Sequence, residues 1–263
     1  MIMFKYYIPL MYTYVTRYKT VFRFLSFLFF TCLPSFYIVV INNDISFQLI
    51  VSYIVTFIVM YSAYEGGYLF NDIITIKFEK NPTFRIDRKY IDIIPKHLEN
   101  MLTIRLLVIV VGCYCINQFT FNINAFVITL LLLMIVYSAH NYYRNITNIV
   151  TMFLLVLLKN FLLVIPFIAV GKFIEVALVI IITIAAIRTY EFAAKSRFNL
   201  NIKIKNIDFF RIQYYTVLSI VFAALAIYTD LDWSYFILAV LFLTYRIGIY
   251  GVLKFNNIKR GII

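Results

Sequence analysis

Charge is scarce in this sequence. Charged residues make up 14% of the 263, where a soluble domain carries about a quarter. Chain breakers are scarce too: seven glycines and five prolines exclude a disordered, collagenous or linker-repeat protein. Cysteine is limited to Cys32, Cys113 and Cys115, an odd set inside apolar stretches with neither a disulfide framework nor zinc-ligand spacing. Two histidines rule out a histidine metal centre, and His140 reads as an interfacial hydrogen-bonder. No Ser-His-Asp order, P-loop or Gly-x-Gly-x-x-Gly is present.

What the chain has is hydrophobicity, with 63% apolar residues and a mean hydropathy of +0.90. Continuous apolar runs lie at 21–41, 46–70, 101–119, 124–141, 146–170, 174–193, 210–229 and 233–254. Each can cross a hydrocarbon core of about 30 Å as a helix. Helices are required, because lipid-exposed backbone must satisfy its own hydrogen bonds and the alternation of a barrel strand is absent. The expected fold is therefore an all-α polytopic membrane bundle of about eight transmembrane helices. Residues 1–20 carry Lys5 and tyrosines among apolar residues, and predict an interfacial segment without a signal-peptide cleavage site. The transmembrane domain is placed at 21–254 and a short tail at 255–263.

The net charge of +12 is a matter of topology. Eight spans put both termini and three loops on one side. Nineteen of the 24 Lys and Arg fall there, and only Lys172 falls opposite. That asymmetry predicts both termini in the cytoplasm, and no nucleic-acid partner is needed to explain the basicity. The polar residues gather in two inner loops, after the second span and after the sixth. A transporter more often spreads them around the midplane. The corresponding positions hint at two four-helix halves.

Three constellations could carry chemistry. In the first, Glu65, Asp72 and Glu79 recur every seven residues and share one helical stripe, with Thr75 between the last two. Carboxylates on one face repel unless something positive sits among them. Magnesium would serve, since it takes one or two carboxylates and shares its other positions with water and phosphates. The plain alternative is a solvated helix whose acids Lys77 and Lys80 neutralise, although Glu65 lies inside the apolar run, where carboxylates are usually functional or paired. In the second, Arg188, Glu191 and Lys195 share a face at the end of the sixth span, and a structural ion pair is the rival reading. In the third, Tyr137, Asn141 and Arg144 share a face. Lys159, midway along the fifth span, needs a carboxylate, carbonyls or a polar cavity.

Asn71-Asp72 at the end of the second span resembles the first motif, NDxxDxxxD, of the UbiA superfamily of intramembrane transferases. Within it the chain is most similar to the branch that moves phosphoribose from phosphoribosyl diphosphate to decaprenyl phosphate. The shared features are Pro82-Thr83-Phe84-Arg85 after the first motif, Tyr137-Ser138 before the fourth-to-fifth loop, a basic residue near Lys159, and Arg188-Thr189-Tyr190-Glu191 as a short second motif. The prenyltransferase branches usually carry an Asp-rich second motif, absent here. Thr75 stands where the family has its second Asp, and Glu79 replaces the third.

The resemblance implies a magnesium-dependent transferase with Asp72 and Glu79 holding the ion and Glu191 assisting. Asn71 would orient the diphosphate, and Arg85, Arg188 and Lys195 would meet phosphate oxygens. Glu65, Thr75, Tyr137, Asn141, Arg144 and Lys159 complete the candidate substrate-binding set. The partners implied are membrane lipid, a phosphorylated sugar donor, and polyprenyl phosphate or prenyl diphosphate, in a bacterial inner (plasma) membrane. Two alternatives stay open: prenyl transfer from a prenyl diphosphate to a small aromatic acceptor, and a catalytically inactive lipid-binding or assembly subunit.

Overall fold

A computed structural model describes residues 3–78, 84–87, 90–120, 122–143, 145–195, 198–229 and 231–255. The described residues are all-helical, and eight helices are long and apolar enough to cross a membrane: Val21–Val40, Phe47–Ile73, Ile94–Asn117, Ile123–Tyr142, Thr147–Phe167, Val170–Ala193, Ile207–Tyr228 and Trp233–Phe255. The chain is an integral membrane helical bundle. The boundaries have local causes. Thr20, Ser46 and Asn206 cap the first, second and seventh spans by accepting from backbone N–H groups of the first turn. Within the spans, Thr56, Ser62, Thr129, Thr183 and Ser219 donate back to the carbonyl four residues earlier, which satisfies hydroxyls that lipid could not.

The chain divides into two compact units. The first comprises 1–144 and 158–173, the second 145–157 and 174–263, so the boundaries fall within the fifth and the sixth spans. In the first unit the second span packs against the third and fourth by way of glycine. A Cβ on Gly112 would overlap Val59, and one on Gly67 would overlap the Tyr137 ring. Absent side chains thus let helices approach closely where lipid offers no hydrophobic drive to association. At one end of this unit, Asn43 Nδ2 donates to the carbonyl of Phe167 at 2.8 Å and Asn122 Nδ2 to that of Ile168 at 2.6 Å.

At the other end sits the N-terminal segment, which is folded onto the unit in short helical pieces. It forms a 3-10 turn at Met3–Tyr6, a short helix at Met11–Thr13 and a π turn at Tyr14–Tyr18. Tyr6, Tyr12, Thr13 and Thr16 are all buried, and Tyr6 and Tyr12 share a core with Leu69, Ile73, Ile94 and Met101. Tyr6 and Tyr12 pack edge to face at 6.0 Å, and Tyr7 and Tyr12 find hydroxyl partners in His97 and Asp72.

In the second unit the Tyr215 and Phe242 rings stack at 4.9 Å between the seventh and eighth spans. The sixth span carries a π segment at Ile181–Ala185. Tyr214 donates to the carbonyl of Ile182 at 2.5 Å and Tyr215 to that of Thr183 at 2.9 Å, which satisfies backbone oxygens within the irregular turn.

Candidate functional site

The last turn of the second span places Asn71 and Asp72 in the interior of the first unit, against the N-terminal segment. Arg17 grips Asp72 with both terminal nitrogens, at 2.8 and 3.0 Å. Tyr12 donates its hydroxyl to the same carboxylate at 2.8 Å, Asn71 its amide at 3.2 Å, and Arg85 one nitrogen at 3.3 Å. Thr75 in turn donates to the Asn71 side-chain oxygen at 3.0 Å, which fixes the amide so that its nitrogen faces Asp72. Burial alone would lower the Arg17 pKa, but the hydrogen bonds and charge of Asp72 outweigh it and raise the value, so Arg17 is a permanent cation. Burial, then the charge of Asp72, pushes the Tyr12 hydroxyl well above its ordinary range and keeps it a donor. The guanidinium of Arg17 also lies 4.1 Å from the centre of the Tyr68 ring.

Two turns deeper, Glu65 is fully buried. It accepts from the Thr13 backbone N–H at 2.7 Å and from Arg105 at 3.1 Å. Arg105 also donates to the carbonyls of Met101 and Tyr6 at 3.0 and 3.2 Å. The positive charge needed among the stripe's carboxylates is therefore supplied by the chain's own arginines. Beside this stripe, Tyr64, Tyr68 and Tyr137 meet edge to face, with ring centres 4.9–6.0 Å apart. Lys159 lies 5.7 Å from the Tyr64 ring centre, so an aromatic face joins the partners open to it in the sequence. Asn141 donates to the Gly67 carbonyl at 3.4 Å, a long bond.

The second unit holds a separate cluster. Arg211, in the first turns of the seventh span, grips Glu191 at 2.5 and 2.9 Å and reaches Asp208 at 3.3 Å. Arg188 meets Glu191 at 3.4 Å, so the expected ion pair exists but is the weaker of two. Lys195 is exposed, with its ammonium 4.7 Å from the Phe192 ring centre. Glu191, Asp208, Arg211 and Arg246 are all buried.

Sequence reasoning missed Tyr12, Arg17, Arg211 and Asp208. Arg105 was visible as a cation inside a span, and Glu65 as a carboxylate inside another. Two opposite charges in neighbouring spans were a signal for their pairing. Glu79, Arg144, Pro82 and Thr83 lie outside the described residues.

The described residues around Asp72 do not fit a magnesium ion. Its two oxygens already meet donors from Arg17, Tyr12, Asn71 and Arg85, all but Asn71 and Tyr12 cationic, and a metal would have to displace them. Among the described residues there is no group of three His, Cys, Asp or Glu side chains able to share an ion. What the arrangement offers instead is oriented guanidinium N–H groups, the donors that match phosphate oxygens. Comparison with known protein families, with curated proteins and with solved structures finds no match.

Proposed function

We propose that this protein is an intramembrane transferase acting on a phosphate-bearing lipid substrate, with its anion site at the end of the second span. The observation that supports this best is the charge count around Asp72. Two guanidinium groups face one carboxylate, and the Arg85 side chain keeps 35% of its surface exposed while Asp72 keeps 1%. A carboxylate buried to that degree fixes the arginine forks and leaves one positive charge in excess. A phosphate oxygen is the ligand that completes such a set.

The reaction that fits the residue pattern is transfer of phosphoribose from phosphoribosyl diphosphate to polyprenyl phosphate. The bond from the ribose C1 to diphosphate breaks, a bond from C1 to a lipid-phosphate oxygen forms, and diphosphate leaves with the bonding electrons. Arg85, with Arg17 behind it, would neutralise the departing charge, and this is the main catalytic demand of such a carbocation-like transition state. In the second unit, Glu191 holds Arg211 and Arg188 in a comparable way.

Asp72's saturation by arginine, together with Thr75 in place of an acid, favours a second reading: a non-catalytic subunit that binds a lipid phosphate. Purified protein supplied with labelled phosphoribosyl diphosphate, polyprenyl phosphate and magnesium separates the two. Transfer that is lost in Arg85→Gln supports the enzyme. Binding of the lipid phosphate without transfer supports the subunit, and neither binding nor transfer removes both.

A further inference from the structure

A groove of about 630 Å3 runs along the first unit where the second, third and fourth spans meet. It is separate from the Asp72 cluster and has its own chemistry. Lys96 and Glu99 stand at its mouth, at the N-terminal end of the third span. Deeper in, its walls are Leu102, Leu106, Ile109 and Met134, with Gly66 leaving open the space opposite Leu102. Leu106 and Met134 are 60% and 46% exposed, which in a bilayer means contact with acyl chains.

Two features bear on what it can hold. Lys96 and Glu99 are three residues apart, yet among the described residues neither side chain is in an ion pair, so the mouth presents one free charge of each sign. From Leu102 to Ile109 the helix rises by about 10 Å, two-thirds of a leaflet's hydrocarbon depth of about 15 Å.

We infer that this groove binds a zwitterionic aminophospholipid, phosphatidylethanolamine. Its phosphate meets Lys96 and its primary ammonium meets Glu99. The ester groups sit at the level of Leu102, and one acyl chain lies along Leu106, Ile109 and Met134. The order of chemistry down the groove (opposite charges, then apolar wall) is the order of groups along that lipid. An anionic headgroup is disfavoured by Glu99, and a choline headgroup offers it no N–H. The assignment does not depend on transferase activity.

Native mass spectrometry of the full chain in detergent tests it, using phosphatidylethanolamine, phosphatidylglycerol and phosphatidylcholine with identical acyl chains. One phosphatidylethanolamine should be retained about two- to fivefold more tightly than either other lipid, the size of one partly exposed ion pair. Glu99→Gln should erase that margin, and Leu106→Trp should weaken retention of all three. Both substitutions are at exposed positions that leave the core intact. Equal retention of the three lipids, a preference for phosphatidylglycerol, or an unchanged margin in Glu99→Gln would each overturn the assignment. So would a polyprenyl phosphate that displaces phosphatidylethanolamine from this groove, because it would give the groove to the transferase substrate.

Discussion

Replacing Arg105 by Met leaves Glu65 as a carboxylate with no exposed surface and no cation. The isostere keeps most of the apolar stem, so packing changes little and electrostatics dominates. Glu65 retains the Thr13 N–H at 2.7 Å, while the Tyr6 carbonyl loses its arginine partner. Breaking a buried pair from one side costs about 3–5 kcal/mol, because an uncompensated charge remains. The lower half of that range applies here, since a chain unfolded within a membrane also finds partners for its polar groups. Glu65→Leu combined with Arg105→Met removes both charges and should recover most of the loss, because a hydrophobic replacement of a buried pair is close to neutral. Unfolding in mixed detergent micelles, followed by the reactivity of the three partly buried cysteines, measures each variant against the wild type. A single-variant loss below about 1 kcal/mol, or a double variant no better than the single, would falsify the claim that this pair is desolvated and mutually dependent.

Arg17→Ala should release the N-terminal segment, since among the described residues Arg17 is the one cation of this segment that ties it to the acidic stripe. Limited proteolysis should cut before Thr20 at least several-fold faster, and an unchanged rate would mean that the apolar core alone holds the segment. The pH dependence of that release follows from Tyr12. Its pKa is raised in the folded chain, so its contribution is complete below the ordinary value of 10.0 and fades only as pH rises through the higher folded value. The proteolysis rate of the wild type should thus be flat from neutral pH to about 9 and climb above 10, whereas Tyr12→Phe should lose that alkaline climb. Thr75→Asp places a second carboxylate one turn from Asp72 and should produce a magnesium-dependent rise in melting temperature that the wild type lacks; no rise would separate this segment from the metal motif it resembles. Single cysteines at Asn201 and at Asn122, in a background without the native three, should label from the cytoplasmic and outer sides respectively, and the reverse would overturn the charge argument.

The eight spans could be read from the sequence because hydropathy over twenty residues is a local property that the bilayer enforces directly. The same holds for the stripe of Glu65 and Asp72, which follows from helical period alone. What the carboxylates do is decided elsewhere in the chain. Arg17 comes to Asp72 from 55 residues away, Arg105 to Glu65 from 40, and Arg211 to Glu191 from 20. No local pattern encodes those pairings, which depend on how helices pack and on where glycine permits close approach. The N-terminal segment shows the contrast most directly. Its composition is that of a surface-lying helix, and only the packed first unit, with buried acids lacking cations and donors, turns Tyr12, Thr13 and Arg17 inward. Burial makes a carboxylate's need for partners strong enough to override the amphipathic preference of a short segment, and that need arises only once the spans have assembled.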